Sequence, residues 1–144
     1  MNSLDRMMIE RECEKLVMQY CHFIDHQEAA RVAELFAQDG VWASADNTMA
    51  GRAAILKGFQ GRQDNLTRAS RHICSNLIVE VIDESAAKGV VYLTLYRHDG
   101  ELGRRVSPVK GPSMIGEYRD EFVRTPDGWR FLRREVSIDF LDLQ

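Results

Sequence analysis

The sequence predicts an α+β domain in which N-terminal helices pack on a curved antiparallel sheet. Three observations carry this. Apolar residues recur with helical spacing near the N-terminus, at Ile9, Cys13, Leu16, Val17, Tyr20, Cys21 and Ile24, a one-sided stripe. From Ile73 onward the chain turns to long β-branched and aromatic runs separated by turn signals. Helices first and strands later, with hairpin turns between the strands, favour an α+β arrangement over a parallel sheet. The length, 144 residues, fits one domain spanning 1–144, and 44% apolar with 28% charged residues suits a packed core.

Each element has its own signal. Ser3 is placed to cap the first helix, with Asp5 in its first turn. A second, shorter helix is predicted from Glu28 to Phe36, ended by an Asp39-Gly40 turn. Val41-Trp42-Ala43 reads as a short strand and residues 46–50 as loop. Gly51 to Phe59 predicts a third helix, with Gly61 just past its end. Strands follow over Ile73–Ile82, Ala87–Tyr96, Ser113–Arg124 and Trp129–Ile138, the last two joined by Pro126-Asp127-Gly128. A curved sheet closing on a long helix leaves a cone where the two diverge, and such mouths take small ligands.

Composition removes several function classes. Nineteen Lys and Arg against 22 Asp and Glu give a net charge of −3, with no basic footprint for nucleic acid. Arg104, Arg105 and Lys110 form a short basic run without interleaved aromatics and read as a solvated loop. Cys13, Cys21 and Cys74 are odd in number and lack C-x-x-C spacing, which argues against a disulfide framework and a zinc site. Cys13 and Cys21 lie on the helical stripe and read as small hydrophobes. The polar N-terminus lacks the apolar core of a secretory signal, and no stretch is long and apolar enough to span a bilayer; a cytoplasmic location is expected. No phosphate loop, dinucleotide fingerprint or metal motif is present, so cofactor-free chemistry is expected. His22 and His26 have i, i+4 spacing, but no third ligand is near, and they read as surface histidines.

Several short motifs occur in a recognisable order. The segment from Tyr20 through Asp25, Ala33, Phe36 and Asp39-Gly40 to Trp42 resembles the opening of SnoaL-like domains, members of the nuclear transport factor 2-like superfamily with a cystatin-like cone. Gly51-Arg-Ala-Ala-Ile55 is similar to that family's G-x-x-A-I helix start. Arg71-His72-Ile-Cys-Ser75-Asn76 is similar to a segment of the scytalone dehydratase-like branch and of aromatic-ring-hydroxylating dioxygenase β-subunits. Gly116-Glu-Tyr118-Arg-Asp120 and Asp127-Gly128-Trp129 resemble the final hairpin. The resemblance covers roughly residues 6–140. It implies the cone fold and a small-molecule ligand, and leaves the reaction to the site.

Asp25 and His72 are the main candidates for catalysis. Asp25 ends the apolar stripe of the first helix, where a desolvated carboxylate would have a raised pKa suited to proton transfer. The other reading is an exposed Asp that starts the following loop. His72 lies on a strand with the parity of Cys74 and Asn76. The resemblance to the dehydratase branch carries a catalytic carboxylate to position 25 and a catalytic imidazole to position 72; a structural His is the other reading. Tyr20, about one turn before Asp25, is the candidate to hold a substrate oxygen. Trp42, Phe59, Asn76, Tyr96, Met114 and Tyr118 are candidates for substrate binding, and Tyr92 for the aromatic lining. The strand around Met114–Phe122 lacks the second His of the fungal dehydratase pattern. The position of the acid in the ketosteroid isomerase branch falls at Ser44, with Asp46 two residues on, which disfavours that route.

Two functions remain open. One is a cofactor-independent lyase or isomerase using Asp25 and His72 on a small cyclic or aromatic metabolite. The other is a non-catalytic ligand-binding or assembly module related to dioxygenase β-subunits. Val91, Leu93 and Leu95 alternate with Tyr92, Thr94 and Tyr96, so both faces of that strand are apolar, and a homodimer or homotrimer through the sheet face is expected.

Overall fold

The computed structural model describes residues 1–103 and 105–143; Arg104 of the basic run lies outside the described residues. Helix α1 spans Ser3–Asp25, and its whole predicted stripe, Ile9 to Ile24, is buried. Asn2, not Ser3, is the cap: its side chain accepts from the Asp5 N–H at 2.8 Å. His22 and His26 stack on the exposed side of α1.

The predicted second α-helix is instead a 3₁₀ segment, Ala29–Leu35. Three residues per turn bring Ala29, Val32 and Leu35 to one side, and all three are buried. Phe36, read as the end of that helix, is fully buried and opens strand β1, Phe36–Ala43. The Asp39-Gly40 turn signal is realised as an irregularity inside β1, where the pairing jumps between Phe36 and Val41. Residues 46–50 are not all loop: β2, Thr48–Ala50, pairs with β1 across a turn closed by Ser44 N–H donating to Asn47 O. Helix α2 spans Arg52–Asp64, so Gly61 lies inside it and not past its end. Its added turn is tied down by the Gln63 side chain, which accepts from the Ala30 N–H.

Four long strands complete the chain: β3 (Arg68–Val81), β4 (Ala86–Asp99), β5 (Met114–Thr125) and β6 (Gly128–Leu141). The six-stranded sheet has the order β2-β1-β6-β5-β4-β3. It is mixed, where a wholly antiparallel sheet was expected, because β1 runs parallel to β6. These two strands are separated by most of the chain, so no hairpin sets their relative direction. β3 through β6 are antiparallel neighbours.

The inner face of the sheet buries Val91, Leu93, Leu95, Tyr118, Phe122 and Phe131 against α1 and the 3₁₀ segment. On the opposite face the register lines up Ile73, Thr94, Ile115 and Phe140 in one row across four strands. Cys21 on α1 and Cys74 on β3 are free thiols with sulfurs 3.4 Å apart. No helix is long and apolar enough to cross a membrane among the described residues.

Candidate active site

A cavity of about 410 Å³ opens between α1, the β1–β2 hairpin, α2 and the inner face of the sheet. Its deep wall is apolar and aromatic, with Tyr20, Phe59, Leu93 and Tyr118. Trp42, Met114 and Ile138 border it, and the polar rim includes Arg62, Ser70, His72 and Arg97.

Asp25 is the last residue of α1, and β3 crosses beside it. Its carboxylate receives three short hydrogen bonds from that strand. The Ser70 hydroxyl donates to Oδ1 at 2.8 Å and the His72 backbone N–H to Oδ2 at 2.7 Å. The His72 ring Nδ1 lies 2.7 Å from Oδ1. Ser70 in turn accepts from Arg62 Nη2 at 3.0 Å. The carboxylate is almost closed off from water, with its side chain 5% exposed. Burial pushes the carboxyl up, but the bonds from His72 and Ser70 outweigh it and hold Asp25 below the usual carboxylate range. This reverses the expectation of a raised pKa, which counted burial without the donors that burial brought along.

An ionised Asp25 can only accept hydrogen bonds, so the short contact to Nδ1 requires the proton on Nδ1. The Nε2 of neutral His72 then keeps its lone pair. His72 borders the cavity, whereas Asp25 does not line it and touches the site through His72 and Ser70.

Tyr20 is 2% exposed and forms part of the cavity floor. Its hydroxyl accepts from the Trp42 indole Nε1 at 3.0 Å. Its ring meets Phe59, His72, Tyr118 and Phe131 edge to face. Burial drives the phenol up to about 12, against the opposing pull of Arg134 and the Trp42 bond, so it stays protonated at neutral pH.

Of the residues singled out from sequence, Tyr20, His72, Trp42, Phe59, Met114 and Tyr118 border this one cavity. Asn76 and Tyr96 do not. Asn76 sits where the β3–β4 pairing shifts between Ser75 and Ile78, with φ of 56°, and is exposed. That irregularity breaks the parity with His72 on which its placement rested. Tyr96 has the parity of Tyr92, opposite to Leu93 and Leu95, and lies on the far face of the sheet. Tyr92 is likewise exposed on that face. Ser44 borders the cavity, while Asp46 is exposed and outside its lining.

Sequence reasoning missed Ser70 and the pair Asp120–Arg134. Ser70 was legible, since it has the strand parity of His72 two residues on. Arg134 and Asp120 have side chains with no exposure and join through two bonds, 2.8 and 3.0 Å. The Arg134 guanidinium stacks on Tyr118 at 3.7 Å and on Tyr20 at 4.3 Å. Burial pushes this group down, but Asp120 outweighs it and keeps the guanidinium charged. Nothing in the local sequence separates these two residues from surface charges of the last hairpin.

Comparison with known proteins agrees with this architecture. The family model for SnoaL-like domains matches residues 5–135. A candidate scytalone dehydratase from Novosphingobium aromaticivorans superposes with a TM-score of 0.79 at 20% identity, covering 96% of this chain and 89% of that one. A nuclear transport factor 2-like protein with a cystatin-like fold from the same organism gives 0.76 at 26% identity, over 96% and 86%. ActVI-ORFA from Streptomyces coelicolor gives 0.73 at 18% identity, over 91% and 97%. No curated protein matches.

Proposed function

The chain belongs to the SnoaL-like domain family, and we propose that it is a cofactor-independent lyase or isomerase acting by proton transfer on a small cyclic or aromatic metabolite. The observation that carries this is the His72 ring held between an ionised, water-shielded carboxylate and an apolar cavity. Its Nε2 takes a proton from a carbon next to a carbonyl. Asp25 stabilises the imidazolium that forms, as a positioned carboxylate does for an imidazole base. Tyr20 receives the Trp42 N–H on its oxygen, which leaves its own hydrogen for the substrate oxygen as negative charge builds there. The proton then returns to a different carbon, which is isomerisation, or a β-substituent leaves, which is elimination. General acid–base catalysis supplies on the order of 10² to 10⁴ in rate, so the carbon acid must be activated by its carbonyl. Two structural relatives, the candidate scytalone dehydratase and the ActVI-ORFA protein, support the cone as a frame; the chemistry assigned here rests on the site.

The test is a panel of enolisable cyclic ketones and hydroxyketones, followed by NMR for deuterium uptake from solvent and for loss of water. The expected result is turnover by the native chain that disappears in Asp25→Asn and in His72→Ala. Turnover that survives both substitutions would rule out this acid–base pair.

A second copy of the chain is proposed to cover the outer face of the sheet. The supporting observation is the row Ile73, Thr94, Ile115 and Phe140, with Phe140 67% and Ile73 49% exposed. Sedimentation giving a clean monomer at micromolar concentration would rule it out.

A further inference from the structure

Three guanidinium groups, Arg62, Arg68 and Arg97, meet at the rim of the cavity, and no Asp or Glu lines it among the described residues. Like charges in one place repel unless something compensates them. Arg68 has its own partner: Asp99, its cross-strand neighbour, accepts two bonds of 2.7 and 2.9 Å. Arg62, in the last turn of α2, donates only to neutral oxygens, those of the Ser70 hydroxyl and of the Asn65 and Arg68 carbonyls. The guanidinium of Arg97 has no hydrogen bond or ion pair among the described residues. Arg97 has the strand parity of Leu93 and Leu95 and pairs with Ser70 across β3, which keeps it on the cavity side at the end of an apolar row. Both Arg62 and Arg97 are held below the usual guanidinium range, by partial burial first and by the Arg68 charge second. A bound anion would oppose both effects, adding to the pull of Asp99 on each group and of Asp25 on Arg62.

We propose that this rim is an anion subsite, in which Arg97 and Arg62 bind the carboxylate of a substrate whose ring lies on the apolar floor beside Tyr20 and Phe59. A guanidinium fork matches the planar carboxylate in a bidentate pair, and the apolar floor beside the rim suits a ring attached to it. The assignment rests on the acid–base reading only in placing the ring near His72; it narrows the substrate class to small aromatic or alicyclic carboxylic acids. With the carboxylate fixed at the rim, one edge of the ring is held toward His72 and Tyr20, and the neutral isostere loses that register.

The experiment uses benzoate, cinnamate and 2-naphthoate, each beside its primary amide, titrated into the native chain and into Arg97→Gln. Binding is read from amide chemical shifts of residues around the cavity. At least one carboxylate is expected to bind about tenfold more tightly than its amide, the size of one charge-assisted hydrogen bond. That advantage is expected to shrink with added salt and to vanish in Arg97→Gln. Absence of carboxylate binding at millimolar concentration, equal binding of the amides, or an advantage that persists in Arg97→Gln would each overturn the subsite. The same titration in His72→Ala separates the two readings. Carboxylate selectivity retained in His72→Ala, when the native chain itself turns over no panel compound, leaves the anion subsite standing and removes the catalytic assignment.

Discussion

Two of the carboxylate pairs built on the sheet are put to opposite uses. Asp120 and Arg134 are sealed between β5, β6 and the aromatic rings of Tyr20 and Tyr118, with no exposure on either side chain. Asp25 and His72 are set at the end of α1 against β3, with the imidazole 11% exposed beside an open cavity. In the first pair the cation is always charged and has no path to a ligand. In the second the basic partner is an imidazole, which can take up or give up a proton, and it meets the cavity directly. A short contact between opposite charges therefore says little by itself. Access and the ability to titrate separate a pair that holds the core from one that can move a proton.

The largest effect that sharpens this contrast is on the sealed pair. Asp120→Ala leaves a buried guanidinium without its partner and is expected to cost about 3–5 kcal/mol of stability, read from urea midpoints. A loss below about 1 kcal/mol would mean that water reaches Arg134 and that the two pairs are not opposites. His72→Gln is expected to reverse the balance. Turnover should fall by on the order of 10² to 10⁴, while the midpoint moves less than in Asp120→Ala. If His72→Gln unfolded the chain as readily and Asp120→Ala abolished only activity, the roles would be exchanged.

The acid limb of stability offers a smaller effect with a definite sign. Asp25 is held below its ordinary value of 3.8 by the donors around it. A depressed folded-state pKa contributes stability that is fully present above the unfolded value and is lost as pH falls through the folded one. Urea midpoints followed from neutral to strongly acid pH should therefore drop below about pH 4, and Asp25→Asn should flatten that part of the curve. An unchanged acid slope in Asp25→Asn would show that the carboxylate gains nothing from Ser70 and His72.

The contrast also explains what could be read from sequence. The stripe of α1, the strand runs and the closing Pro126-Asp127-Gly128 turn are local periodic or turn signals, and they carried the fold. Asp25 and His72 were named through a resemblance; periodicity alone placed Asp25 only at the end of a stripe. Asn76 was misplaced because parity on a strand fails across a bulge, and Tyr96 because an aromatic residue in a strand does not say which face is the inner one. The bulge depends on pairing with a strand elsewhere in the chain, as does the parallel contact of β1 with β6. Arg134 shows the same limit more sharply. A charged residue in a strand reads as surface, and only the tertiary fold supplies the carboxylate and the rings that let it be buried.

Tyr20 stands between the two regions, with Arg134 on its ring and the cavity at its edge, and its hydroxyl takes one hydrogen bond from Trp42. Tyr20→Phe keeps the ring and its stacking, so stability should change by about the worth of one neutral hydrogen bond, roughly 0.5–1.5 kcal/mol. Activity should fall by a comparable amount, about three- to tenfold in kcat/KM, if the phenol donates to the substrate oxygen. The smallest effect is expected at Asn76, the residue farthest from both regions in its behaviour. Its left-handed φ of 56° suits Asn and Gly, and it is exposed on the β3 bulge. Asn76→Ala should cost about 1 kcal/mol through backbone strain, and Asn76→Gly about half of that or less. Neither should alter kcat/KM. A drop in activity in Asn76→Gly with the fold intact would mean that the bulge sets the position of His72 four residues away, and the boundary between holding the fold and moving the proton would then run through β3 itself.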